Sequence, residues 1–264
     1  MRRTFVKARA GLLFFLAAIV SAPGQQPVHS AKPAKEAVDD LPNGTVLPVR
    51  LQQEISVKKA RSGQAISARL MQYVPLPGGG KISEGAKVRG RIGEVSSNGQ
   101  SNAKINLRFD EIESRGRKIR LTTGLRAMAS LLEVESAETP ETSLGFGTPY
   151  VWATTRLVGG GEKYGVGGPV TDQWSNTVGE GTFTGVLVRL QANEAGGCRG
   201  EFDGSDRLQA LWVFSADACG VYGVPGVKIE RAARDEPIGE IILTSSAKDF
   251  KIRSGSGMLL RVVK

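Results

Sequence analysis

The 264-residue chain has one histidine, His29, and two cysteines, and aromatic residues make up only 6% of it. No apolar run is longer than the ten residues Gly11–Val20. Each scarcity excludes a class of function. A lone histidine close to the N-terminus leaves no Ser-His-Asp or Cys-His catalysis and almost no zinc site with His ligands. Only carboxylate, Lys or Tyr chemistry would remain. Ten apolar residues are about half of the ~20 that cross a bilayer, so no transmembrane segment is expected. Charges are interleaved rather than blocked, and no basic stretch carries stacking aromatics. A nucleic-acid partner is therefore not expected.

What is present begins with an export signal. Arg2, Arg3, Lys7 and Arg9 precede the apolar run, and no acidic residue appears before Glu36. Small and turn-forming residues follow at Ser21-Ala22-Pro23-Gly24. This order is that of a cleaved signal peptide over residues 1–30, with the cut falling between 24 and 30. No cysteine follows the run, so a lipid-modified N-terminus is not indicated. Residues 31–42 are expected to be a flexible leader. The protein is then periplasmic or secreted, and His29 leaves with the signal or stays in the leader. Residues 1–30 hold four of the 35 basic residues and none of the 26 acidic ones, so their loss lowers the net charge from +9 to +5. In an oxidising compartment, Cys198 and Cys219 are expected to form a disulfide.

The remaining chain, 43–264, is written in short strands. Thr45–Leu51, Gln64–Leu70 and Lys87–Val95 alternate, with further strands at 102–109 and 118–121, and Asn98-Gly99 signals a hairpin. With 34 glycines, this predicts an all-β fold, an antiparallel barrel or sandwich with a long Gly/Pro-rich insertion at 131–180. Strands resume at 182–191, 210–214 and 238–263, and Met128–Val134 suggests a short helical turn. Blocks 43–125 and 182–264 are expected to form one barrel, with Gly257–Val263 pairing against Thr45–Leu51. Pro48 has no N–H for a ladder, so it should face outward or sit at a bulge. Arg50, Arg189 and Arg261 each follow an apolar strand start, and each is expected to face water.

From Asn43 to Thr123 the chain resembles the C-terminal β-barrel of TrbI-like proteins, components of type IV secretion and conjugation channels. The matching segments are Asn43–Leu51, Ser62–Leu70, Ile82–Arg91 and Asn106–Leu121, with Ile252–Val263 similar to the family's terminal strand. The inner-membrane helix, proline-rich spacer and helical pair of those proteins have no counterpart here. The resemblance therefore implies barrel architecture more than membership of a channel.

Among residues that could carry chemistry, Tyr150, Trp152, Tyr164 and Trp174 cluster in the insertion. They either contact a protein or glycan or fold inward to anchor a long loop. Trp212 is expected in the core. Glu201, Asp203 and Asp206 lack the later carboxylate of a calcium loop, and a hairpin turn at Asp203-Gly204 explains them better. Gly78–Lys81 and Gly159–Lys163 lack the spacing of a phosphate loop, and Glu135, Glu138 and Glu141 suit a solvated linker. No cofactor, metal or catalytic group is expected. The leading expectation is a non-enzymatic envelope protein whose barrel is a structural or protein-binding module. The alternative is an extracellular carbohydrate-binding module.

Overall fold

The structure is a computed structural model that describes residues 41–98, 101–141, 149, 152–198, 207–230 and 238–264. The expected signal peptide, its cleavage window and nearly all of the leader lie outside the described residues. So do Tyr150, the turn at 99–100, and Glu201, Asp203 and Asp206. No helix among the described residues is long and apolar enough to cross a membrane.

The chain opens with β1 (Val46–Leu51), β2 (Ile55–Ser56), β3 (Ala65–Leu70), β4 (Val74–Pro75), β5 (Lys81–Ile82), β6 (Lys87–Asn98) and β7 (Ser101–Ser114). It continues through β8 (Arg117–Arg120), β9 (Thr123–Ala129), helix α1 (Leu131–Glu138), β10 (Thr154–Arg156), β11 (Glu162–Tyr164) and β12 (Pro169–Thr171). Then come β13 (Thr177–Thr182), β14 (Gly185–Val188), β15 (Gln209–Ala210), β16 (Gly220–Tyr222) and β17 (Val227–Glu230). The last strands are β18 (Ile241–Ser245), β19 (Lys251–Ile252) and β20 (Gly257–Val262).

The fold is all-β, as the alternation and turn spacing predict. Ten strands form one sheet in the order β16-β9-β20-β1-β3-β6-β7-β18-β17, with β8 added against β7. Its end strands, β16 and β17, follow one another in the chain and lie in contact, so the sheet curls into a nearly closed barrel. Leu47, Leu70, Ile92, Ile105, Leu107 and Phe109 are among the side chains that fill it. The first strand pairs antiparallel with the last, Val46 opposite Arg261 and Arg50 opposite Gly257. This is the closure expected from two strands apolar enough to lie inside a sheet.

Several expectations need correcting. The sheet is mixed, because β16 runs parallel to β9. A parallel return needs a crossover connection, and residues 130–219 supply it. The excursion therefore extends well past 180, and the strands near 182–191 and 210 belong to a separate six-stranded sheet in the order β10 to β15. The helix begins at Leu131 rather than Met128, since Met128 and Ala129 are still in β9; Ser130 caps it by accepting from the Glu133 N–H.

A further correction concerns the arginines. Every residue of β9 and β20 is buried, and so is β1 apart from the half-buried Arg50. Alternate residues explain why. Leu47, Val49, Met258 and Leu260 face the barrel interior, whereas Val46, Leu259, Ala127 and Ala129 belong to a second core with Val134, Trp212 and Phe214. These three strands are a wall between two layers, so their outer face meets protein rather than water. Arg261 is 2% exposed and Arg50 is packed, while Arg189, outside the wall, is exposed as expected. Pro48 is buried too. Its carbonyl accepts from Met71 N–H at 3.0 Å, while the β1–β3 ladder begins one residue later at Val49, so the missing N–H breaks no ladder bond.

Candidate functional site

Two buried glutamines hold the six-stranded sheet on the wall. Gln72 is fully buried; its Oε1 accepts from the Trp212 N–H at 2.7 Å and its Nε2 donates to the Val186 carbonyl at 2.9 Å. Gln209 Oε1 accepts from Val46 N–H at 3.2 Å, covering the edge of β1 that β3 leaves open. Trp212 is core, as expected, but it lies in a turn rather than a strand and has a positive φ of 55°. That conformation is uncommon for a bulky residue and persists where surroundings fix it. Gly185 approaches so closely that an added Cβ would stand 2.4 Å from the Trp212 Cα.

A bulge and a disulfide complete the frame. Arg126 is the extra residue where β9 and β20 shift register between Leu259 and Leu260, which turns its guanidinium out of the ladder. It donates to the carbonyls of Ala218 (Nε, 3.0 Å) and Gln191 (Nη2, 2.6 Å). Cys198 and Cys219 are disulfide-bonded, with Cα atoms 6.0 Å apart, and tie the loop after β14 to the start of β16.

On this frame the strand register decides which aromatics share an end of the sheet. Thr154 at the start of β10 pairs with Tyr164 at the end of β11, and β13 ends at Thr182 on the same side. Trp152, Tyr164 and Phe183 therefore gather at one end of the six-stranded sheet. Trp174, in the turn between β12 and β13, stands at the other. Trp152 is 68%, Phe183 79% and Trp174 67% exposed, so these rings do not serve as buried anchors. Tyr164 is more covered, and its hydroxyl donates to Glu162 Oε2 at 2.5 Å. That carboxylate acceptor, with some burial, holds the phenol pKa above its ordinary value.

Beneath Phe183 a cavity of about 230 Å³ separates α1 from the sheet, lined by Glu138, Thr155, Lys163, Thr184 and Trp212 among others. Lys163 is 6% exposed, and its Nζ donates to the Thr182 carbonyl at 2.9 Å. Arg50 Nη2 donates to Glu138 Oε1 at 2.5 Å, with its guanidinium 4.9 Å above the centre of the Trp212 ring. Glu141 pairs with Arg156 at 2.9 Å. Two of the three acidic residues assigned to a solvated linker thus make ion pairs with strand arginines. Gly159–Gly161 form the tight turn between β10 and β11. Among the described residues, no three His, Cys, Asp or Glu side chains converge on a metal position.

Gln72, Arg126, Lys163, Phe183 and Gln209 carry much of this arrangement, and reasoning from the sequence missed all five. The only available signal was a lone polar residue beside an apolar strand, as with Gln72 after Leu70 and Gln209 before Ala210. The fold and frame define a disulfide-linked, two-layered all-β protein. No family model matches the chain, and no curated protein matches it.

Proposed function

We propose that the protein is an exported, non-enzymatic module of the cell envelope that binds a protein partner through the Trp152–Tyr164–Phe183 end of its six-stranded sheet. The observation that carries this is three aromatic rings gathered at one end and left partly or largely exposed. Aromatic side chains supply large, rigid contact area at little entropic cost and dominate the energetics of interfaces. Phe183 has no polar group to offer water, so its 79% exposure favours an apolar partner surface. The disulfide suits an oxidising compartment, in keeping with the signal-like N-terminus. The resemblance of Asn43–Thr123 to the TrbI-like barrel adds the expectation that the partner belongs to an envelope assembly.

Placing a photo-crosslinking amino acid at Phe183 in cells tests this reading. A discrete adduct is expected, identified by mass spectrometry as one envelope protein and lost on Trp152→Ala. The same probe at exposed Leu132 on α1 should give no such adduct. Absence of a Phe183-dependent adduct would overturn the assignment, as would a full-length chain retained in the cytosol with its N-terminus intact.

A further inference from the structure

The barrel carries a second surface, which the linear order of the charges hides. Residues 87–120, which make up β6, β7, β8 and their turns, hold nine basic and four acidic residues. Residues 43–264 hold 29 and 23, so five of their six surplus positive charges fall in this one stretch. Along the chain these charges alternate with acids and apolar residues. Strand register gathers them on one face.

Val88, Ile92, Leu107, Phe109 and Ile112 point into the barrel interior, which turns Lys87, Arg89, Arg91 and Arg108 outward. On that outer face Lys87 and Lys118 flank Glu113 from the strands on either side, and Arg89 and Arg120 flank Glu111 in the same way. Arg91 stands directly opposite Arg108, a like-charge pairing that strands ordinarily avoid. The acids do not neutralise the face. Glu111 is shared by Arg89 and Lys118, Glu113 takes Arg89 again, and Asp110 takes Arg91. Lys87, Arg115, Arg117 and Arg120 make no ion pair among the described residues. All four are exposed, and the second layer packs on β1, β20 and β9 instead of covering them.

The chemistry of the face narrows its partner. Six of the nine cations are arginines, whose planar guanidinium matches the paired oxygens of a phosphate. The buried Phe109 is the single aromatic residue of the stretch, so nothing here stacks on a base or a sugar ring. The cations are spread along strands of 12 and 14 residues and the turn after them, which suits an extended array of phosphates better than one enclosed ligand.

We propose that this face docks on an anionic lipid bilayer, with Arg91, Arg115, Arg117, Lys118 and Arg120 against the headgroup phosphates. Such attraction needs no inserted helix and acts over about 10 Å at moderate salt. The face shares no residue with the Trp152–Tyr164–Phe183 end, so either assignment can fail without the other.

The test is co-sedimentation of the purified, oxidised protein with lipid vesicles. Phosphatidylcholine vesicles containing about 30% phosphatidylglycerol should carry the protein down at about 50 mM salt and release it at about 300 mM. Pure phosphatidylcholine vesicles should not carry it. Arg117→Gln with Arg120→Gln should weaken binding by about 25-fold, at about fivefold for each charge withdrawn. The melting temperature should not change, because neither side chain makes an ion pair. Arg189→Gln with Arg253→Gln removes the same charge from exposed positions off the face, and should change binding by less than about twofold. If the Arg117 and Arg120 variant folds poorly, Lys87→Gln decides, with an expected loss of about fivefold. The proposal is overturned if anionic vesicles fail to bind, if neutral vesicles bind equally well, or if the two pairs of substitutions weaken binding alike. Binding to polyglutamate without binding to vesicles would also overturn it, and would make the face a docking surface for an acidic protein.

Discussion

The two sheets are built on different terms. In the barrel, β6 and β7 run for 12 and 14 residues, and alternating apolar side chains close a dedicated interior. In the six-stranded sheet no strand exceeds six residues, and several hold only two or three. Its inner face mixes Val170, Val186 and Val188 with Lys163, Gly179 and Gly181, so it has too little apolar surface to fold alone. It is completed by the outer face of β1, β20 and β9 and by Trp212 and Phe214. The barrel is thus a self-sufficient design, and the second sheet is a layer that depends on the barrel's wall. Short strands on a borrowed core suit a display surface, because their turns can carry exposed aromatics without disturbing the barrel.

This contrast is open to attack at the junction first. Gln72→Ala strands the Trp212 N–H in a dry interface, at roughly 1–3 kcal/mol, and empties the space of a buried side chain, while the Val186 carbonyl keeps the Leu211 N–H. Stability should fall by about 2–4 kcal/mol, seen as a lower urea midpoint with an unchanged slope. Amide exchange should rise in the six-stranded sheet before the barrel. Removing the disulfide with Cys198→Ala and Cys219→Ala releases a loop spanning 21 positions, and should cost about 3 kcal/mol. That loss should also fall first on the second layer.

Smaller effects come from the barrel's surface. Glu240 accepts from Arg108 and from Asn106 Nδ2, the latter at 2.8 Å, tying the start of β18 to β7. The Arg108 hydrogen bond, then the Asn106 one, hold the Glu240 carboxyl below its ordinary range. A depressed folded pKa gives stability that is present above the unfolded value. It is lost as pH falls through the folded one. Acid titration should therefore show a loss of up to ~1 kcal/mol below the usual carboxylate range, absent in Glu240→Gln and weaker in high salt. Least of all, Phe183→Ser should change stability by no more than about 0.5 kcal/mol while abolishing the partner contact. A large loss of stability there would mean that the ring is structural.

The sequence displayed the barrel better than the second layer for the same physical reason. Alternation in Ala65–Leu70 and the largely apolar stretches Val46–Leu51 and Gly257–Val262, each interrupted by a single arginine, are signals that a strand emits by itself. The pairing of first strand with last followed from them. Short strands such as Glu162–Tyr164 are too brief to show a period, and Gly179 and Gly181 stand where an apolar residue would have marked the inner face. Arg261 was misplaced because its strand was assumed to have one wet face, and a wall strand has none. Exposed aromatics were recognisable as residues, but their division between two ends depends on register, which only the folded sheet fixes.

The dependence of one layer on the other is tested most directly by deleting residues 257–264, which removes β20, and following amide exchange throughout the chain. β20 pairs with both β1 and β9 and contributes Leu259 to the second core and Met258 and Leu260 to the first. The predicted result is loss of protection in both sheets together, with no cooperative unfolding transition left. Protected amides persisting through residues 46–129, with a sharp unfolding transition of their own, would contradict the shared wall.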